Sequence, residues 1–381
     1  MSDAAPRRVV YLSGTRADFG LMRSTLQRIA TTAGLGLEVL VTGTHLSAMH
    51  GNTVEEIRSA GLTICAEIPL DMQTRTGTSM ALCLAECLRG VSMELTRQRP
   101  DLLLLLGDRG EMLAGAIAAL HLGIACVHVH GGERSGTVDE SVRHAISKLS
   151  THHFVATPGS ARRLVSMGED PARIHVTGAP GLDGLEECAR FSRQACLTAL
   201  QLAPGTRFAL SLFHPVVQQA AEACGQMQAI QEAVQHVGLP VLWLEPNADA
   251  GSPAVLRALD LGISPAGSRR VTHLPRPLFL AALRHCEVLV GNSSAGIIEA
   301  ASFGTPVVNI GDRQRLRERN ANTIDVPAEA MAVEAAVRHA LRTGHGPCDN
   351  IYGDGRAGER IADLLASLPL DRALLEKVNT Y

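Results

Sequence analysis

Aromatic residues are scarce in this chain: one Trp, three Tyr and seven Phe among 381 residues. Charge of one sign is also lacking. Thirty-five Lys and Arg stand against 38 Asp and Glu, a formal net charge of −3, and the strong basic bias of a nucleic-acid binder is missing. No run of about 18 apolar residues occurs, so no membrane span is expected. Met1 to Arg8 has no apolar core region before the first strand, which predicts no signal peptide. The nine cysteines form no Cys-x-x-Cys. Cys83 and Cys87 sit four apart on a predicted helix, without a second pair to complete a zinc site; reduced structural thiols and no bound metal follow. No Gly-x-Gly-x-x-Gly follows the first strand, and there is no Walker loop, which argues against a dinucleotide oxidoreductase or an NTPase. These absences leave a soluble cytoplasmic enzyme as the expected class.

What is present is an alternation of strands and helices. The chain is too long for one core, so two domains are expected, and the pattern is α/β. Arg8–Leu12, Leu37–Val41, Leu102–Leu106, Ile124–Val129, Phe154–Ala156 and Ile174–Thr177 read as strands of a first parallel, doubly wound sheet. Helices are predicted over Phe19–Ile29, Gly51–Ala60, Met112–Leu120, Asp139–Ser150 and near Ser160–Met167. The Gly178-Ala179-Pro180-Gly181 punctuation places a boundary near residue 180. The second half repeats the plan, with strands at Phe208–Leu212, Pro240–Leu244, Val271–Leu274, Val288–Val290 and Val307–Ile310. Domains of 1–180 and 181–381 result, the last helix being free to pack back on the first.

Charged groups recur where strands end, the place where open α/β sheets bind ligands. Arg16 follows the first strand in a Gly14-Thr15 turn that would suit a phosphate. Asp108 and Arg109 follow the Leu102–Leu106 strand; Asp108 could instead be a plain helix N-cap. His130, Glu133, Asp139 and His144 crowd one strand-to-helix turn, which is hard to explain as packing. His128 and His130 lie two apart at a strand end and are not expected to hold one metal together. In the second half, Gly291-Asn292-Ser293-Ser294 opens a helix, a place for an anion, or a Ser cap with no ligand. Glu299 lies within two turns of it, within reach of ribose hydroxyls. His214 and Arg313 also follow strands.

Taken together, Gly14-Thr15-Arg16-Ala17-Asp18, Gly107-Asp108-Arg109, Gly131-Gly132-Glu133 with the run Ser135 to His144, His214-Pro215-Val216, Gly291-Asn292-Ser293-Ser294-Ala295-Gly296 and Phe303-Gly304-Thr305-Pro306 resemble the UDP-N-acetylglucosamine 2-epimerases. The resemblance spans nearly the whole chain in order, and the run from Ser135 to Ser150 resembles the hydrolysing branch of sialic and legionaminic acid biosynthesis. No kinase half follows, as in the stand-alone bacterial form.

The resemblance implies a GT-B architecture, two Rossmann-like doubly wound domains facing a central cleft, with the UDP held mainly by the C-terminal one. It implies anti elimination of UDP from UDP-N-acetylglucosamine to 2-acetamidoglucal, then hydration to N-acetylmannosamine, without metal or nicotinamide. Ser293, Ser294, His214, Arg16 and Arg313 map onto diphosphate contacts and Glu299 onto the ribose contact; Arg109, Asn247 and Asp249 are expected near the nucleotide-sugar. Asp108 and Asp139 occupy positions of two catalytic carboxylates. The family's third carboxylate falls on position 130, which is His here, so the base is His130 or Glu133. A His-Gly-Gly-Glu form accompanies relatives acting on 2,4-diacetamido-2,4,6-trideoxy sugars, which makes UDP-diacetylbacillosamine the alternative substrate. A non-hydrolysing epimerase is a further alternative, as are a glycosyltransferase needing an acceptor and a sensor without turnover. A homo-oligomer, dimer or tetramer, is expected.

Overall fold

The computed structural model describes residues 5–47, 51–71, 77–136, 138–185, 190–246, 251–370, 375 and 377–380. Its contacts divide the chain into two compact units. The first comprises Met1–Glu133, Asp139–Asp183 and Tyr352–Tyr381; the second comprises Arg134–Val138 and Gly184–Ile351.

The first unit carries β1 (Arg7–Ser13), α1 (Arg16–Thr31), β2 (Leu35–Thr42), α2 (Val54–Ser59), β3 (Ile64–Ile68), α3 (Gly77–Gln98) and β4 (Leu102–Leu106). It continues through α4 (Gly110–Leu122), β5 (Ala125–Val129), α5 (Val138–Leu149), β6 (His152–Val155), α6 (Pro158–Ser166) and β7 (Ile174–Val176). Its strands lie in the order β3-β2-β1-β4-β5-β6-β7, and every pairing is parallel. The five consecutive leucines of β4 explain why the sheet is sandwiched between helices. Leu102, Leu104 and Leu106 pack into the core on the α1 side, while Leu103 and Leu105 pack on the opposite side with Met112 and Ala116 of α4. Each such leucine contributes roughly 1.5–3 kcal/mol by leaving water.

The second unit carries α7 (Arg193–Ala199), β8 (Ala209–Leu212), α8 (Ala223–Val237), β9 (Val241–Leu244), α9 (Ser252–Leu261), β10 (Arg269–Val271) and α10 (Arg276–His285). Then come β11 (Val288–Gly291), α11 (Ser294–Ile298), β12 (Val307–Ile310), β13 (Thr323–Val326) and α12 (Ala330–Thr343). Its strands run β10-β9-β8-β11-β12-β13, again parallel. Both sheets thus reverse their winding once, between β1 and β4 and between β8 and β11. That reversal opens a crevice beyond the C-terminal strand ends.

The final helix, α13 (Ala357–Ser367), belongs to the first unit. Ile361, Ala362 and Leu365 enter the core cluster of Phe19, Met22 and Leu26 from α1. Asp183 caps the helix by accepting from the Ala357 N–H at 2.9 Å and from the Gly358 N–H. Farther on, the Lys377 ammonium lies 2.5 Å from Glu169 and donates to the carbonyls of Ser147, Lys148 and Ser150 at the end of α5. Burial alone would push the Glu169 carboxyl up; hydrogen bonds from His153, Lys148 and Lys377 bring it down to about 2.

Some stretches differ from expectation, β13 among them, where no strand is expected. β3 and most of α3 fall where no strand or long helix is expected, because β3 is a half-exposed edge strand without a clean apolar alternation. The strand expected over Val271–Leu274 is instead Arg269–Val271, since its partner β9 ends at Leu244 opposite Val271 and leaves nothing beyond for pairing.

Candidate active site

β1 and β4 end side by side, with Tyr11 opposite Leu104. The turn after β1 is built on a buried carboxylate. Asp18 accepts from the Gly14 and Thr15 N–H groups at 3.0 and 2.6 Å, from the Ser13 hydroxyl at 2.5 Å and from the Tyr11 hydroxyl at 3.1 Å. Thr15 caps α1 in return, completing a capping box. Buried His45 braces the same turn, 2.9 Å from Ser13 and 2.8 Å from Thr53. Arg16, at the first helical position, lies 2.6 Å from Glu56.

After β4 the N-cap of α4 is Arg109, which makes no side-chain cap bond. Asp108 is therefore not a plain helix cap. Its carboxylate pairs with Arg143 of α5, a guanidinium only 1% exposed that also donates to the Glu133 carbonyl at 3.0 Å. Arg109 stands 3.5 Å from Glu111.

β5 delivers His130 in the left-handed region, at φ +64°, a conformation that costs a non-glycine residue about 1–2 kcal/mol. The His130 N–H donates to the Phe154 carbonyl at 3.0 Å, and Nδ1 lies 2.5 Å from the buried Glu133 carboxyl. An ionised carboxylate only accepts, so Nδ1 is the donor of this bond and Nε2 is the ring nitrogen turned away from Glu133. Asp139, half-buried, lies in the first turn of α5, one turn before Arg143. Within this unit, then, Arg143 joins Asp108 to the His130–Glu133 turn.

Arg143 is the residue that sequence reasoning passes over. Its signal lies in helical spacing: the buried positions of α5 are Arg143, Ile146 and Ser147, the i, i+3, i+4 stripe that faces a core. A guanidinium in that stripe needs an acidic partner.

In the second unit β8 and β11 pair up to Leu212 opposite Gly291. Gly291 has φ +149°, and a Cβ there would come 2.1 Å from the Leu212 carbonyl oxygen, so only glycine fits. The buried Asn292 that follows bridges the two strand ends. Its Oδ1 accepts from the His214 N–H at 2.7 Å and its Nδ2 donates to the His214 carbonyl at 2.8 Å. The Asn292 carbonyl in turn accepts from Arg313 at 3.1 Å and from Gln314 at 3.0 Å. Asn292 and Gln314 thus hold His214 and Arg313 in place, a role that nothing in their spacing announces. Ser293 caps α11, accepting from the Ala295 N–H at 3.4 Å, with Ser294 next to it. Glu299, 2% exposed, is paired with Arg276 at the start of α10. Burial, then the charge of Arg313, pushes the His214 imidazole well below its ordinary value. Asn247 and Asp249 lie outside the described residues.

Buried neutral histidines make the fold acid-sensitive. Burial lowers His128 to about 3 and His152 to about 4, whereas an unfolded imidazole titrates near ~6.5. Because the folded values are depressed, their stabilisation is complete above ~6.5 and is lost as pH falls towards 4 and then 3. Each such histidine costs up to about 1.4 kcal/mol per pH unit in that window. The urea midpoint is expected to hold nearly constant from pH 7.5 to about 6.5 and then to fall steadily to pH 4.5; a constant midpoint over the whole range would contradict it.

A family model described as UDP-N-acetylglucosamine 2-epimerase matches residues 27–366. The chain belongs to that family. Among its relatives, the hydrolysing UDP-N,N'-diacetylbacillosamine 2-epimerase of Legionella pneumophila is 45% identical over 98% of this chain and 100% of that protein. The UDP-N-acetylglucosamine 2-epimerase of Neisseria meningitidis serogroup B is 33% identical over 94% of this chain and 95% of that one. Among solved structures, the Methanocaldococcus jannaschii UDP-GlcNAc 2-epimerase in complex with UDP-GlcNAc and UDP aligns at a TM-score of 0.79 and 18% identity, over 94% and 99% of the two chains. The two Rossmann-like units are accordingly those of a GT-B epimerase. Among its described residues no helix is long and apolar enough to cross a membrane.

Proposed function

We propose that this epimerase is of the hydrolysing type and acts on UDP-2,4-diacetamido-2,4,6-trideoxyglucose, releasing UDP and the free 2,4-diacetamido-2,4,6-trideoxymannose. The observation that carries the reading is the full-length 45% identity to the Legionella pneumophila relative of that activity. The His130-Gly131-Gly132-Glu133 turn favours the same sugar over the UDP-N-acetylglucosamine that the family resemblance alone puts first.

In this reading Nε2 of His130 takes the proton from carbon 2, and Glu133 holds the imidazole in the competent tautomer. The C–H electron pair forms the C1–C2 double bond, and the C1–O pair departs with UDP. A carboxyl, Asp108 or Asp139, then delivers a proton to the other face of C2 while water adds its oxygen to C1; the water's own proton passes to the resulting carboxylate, and the proton taken by His130 leaves to solvent with UDP, which resets the cycle. No electrons are gained or lost, so the cycle needs no redox cofactor. In this reading His214, Ser293, Ser294, Arg313 and Arg16 bind the diphosphate and Glu299 the ribose, with Arg109 near the nucleotide-sugar. His214, being neutral, serves there as a hydrogen-bond donor. A homo-oligomer is part of this reading.

Steady-state kinetics on the two UDP-sugars test the substrate. The 4-acetamido-6-deoxy sugar is expected to give at least about tenfold higher kcat/KM. An equal or reversed ratio would return the assignment to UDP-N-acetylglucosamine.

A further inference from the structure

His128 is fully buried and the chemistry just described does not use it. It lies on β5, two residues before His130. Its Nε2 is 2.7 Å from the Gly107 carbonyl oxygen and its Nδ1 is 3.0 Å from the Ser147 hydroxyl. A carbonyl can only accept, so Nε2 carries the proton; Nδ1 must then accept from Ser147. Gly107 immediately precedes Asp108. Ser147 lies one helical turn beyond Arg143 on α5, on the same buried face. The imidazole therefore spans from the turn that carries Asp108 to the helix that carries Asp139 and Arg143.

A third element closes over this strut. A Cβ at Gly131 would come 2.9 Å from the Ser147 hydroxyl and 3.0 Å from Nδ1 of His128, so the turn that positions His130 and Glu133 rests directly on the bonded pair. Arg143 ties the same two loops at one level of α5, through Asp108 and the Glu133 carbonyl. His128 and Ser147 tie them one turn farther along.

We propose that His128 is a positioning residue for the 2-epimerase reaction: through Gly107 and Ser147 it fixes the spacing between Asp108 and the acid/base groups on α5 and the Gly131 turn. Burial keeps the ring neutral down to about pH 3, so its hydrogen-bond pattern does not change over the working range. The inference rests on the site roles proposed above, but not on which UDP-sugar is the substrate.

The test compares His128→Leu, His128→Gln and Ser147→Ala with wild type, using whichever UDP-sugar wild type turns over. A misplacement of about 1 Å costs on the order of a hundredfold in rate. His128→Leu is expected to lower kcat by roughly 10–100-fold while KM stays within about threefold. Gln retains an N–H that can reach the Gly107 carbonyl and should recover most of that loss; Ser147→Ala should fall between. The pH dependence of kcat should keep its shape in all three. Unchanged kcat in His128→Leu, with only a lower Tm, would reduce His128 to packing. Loss of one limb of the pH profile in both His128 variants would make it an acid/base group instead. Should the Leu variant not fold, the Gln and Ala variants decide by the same criteria. If wild type turns over neither sugar, the function assignment fails by itself; nitrogen NMR still reports on His128. A neutral Nε2–H ring from pH 5 to 8 is required, and an Nδ1–H or charged ring overturns the strut.

Discussion

His130→Asn is expected to lower kcat by about 10²–10⁴-fold, the range that a positioned general base contributes, while leaving the fold intact. Asparagine suits the site for two reasons. It tolerates the left-handed backbone that His130 adopts at φ +64°, and its side-chain amide can replace Nδ1–H as a donor to Glu133, 2.5 Å away in the native protein. What it removes is the basic nitrogen alone. His130→Ala removes the Glu133 donor as well and is expected to lose a further ~1–3 kcal/mol of stability for the buried carboxyl left behind. Single-turnover rates and thermal melts of the two variants separate these effects. A His130→Asn enzyme with near-native kcat would move the base role elsewhere, to Glu133 first.

Replacing Arg143 should have the largest effect on stability. Arg143→Leu keeps the volume in the core stripe of α5 but leaves Asp108 without its cation and the Glu133 carbonyl without its donor. Breaking one side of a buried pair typically costs about 3–5 kcal/mol; with Asp108 still partly open to solvent, about 3 kcal/mol is expected, along with loss of most activity. Arg143→Lys should restore part of the stability but little of the rate, because one ammonium on a flexible stem does not replace a planar fork reaching two loops. Urea midpoints and kcat measured together test this. An Arg143→Leu protein as stable as wild type would mean that the pair with Asp108 contributes nothing.

The sequence makes legible those parts of the fold that depend on local chemistry. The leucines of β4 read as a strand covered on both faces because each face has its own helical core. The strand ends are readable because glycine and charge recur after β1, β4 and β5, and glycine with two serines after β11. Edge elements are not readable in this way. β3 and β10 have short, mixed sequences, and their extents are set by the lengths of their partners, β2 and β9. The same distinction holds in the site. His130, Glu133 and Asp108 stand out as charged groups at turns. Arg143 hides in a helical stripe, and Asn292 and Gln314 act through backbone carbonyls and amides that come together only when β8 and β11 align. His128 is visible as a histidine, but its two partners lie 21 and 19 residues away on other elements.

The central claim is elimination of UDP followed by hydration, and proton NMR in heavy water tests it most directly. The enzyme is incubated with UDP-2,4-diacetamido-2,4,6-trideoxyglucose, and in parallel with UDP-N-acetylglucosamine, without added metal or nicotinamide. The account predicts UDP together with a free manno-configured sugar carrying deuterium at carbon 2, formed faster from the first substrate. A deuterated UDP-sugar epimer with no free sugar, or a free sugar retaining its original proton at carbon 2, would contradict it.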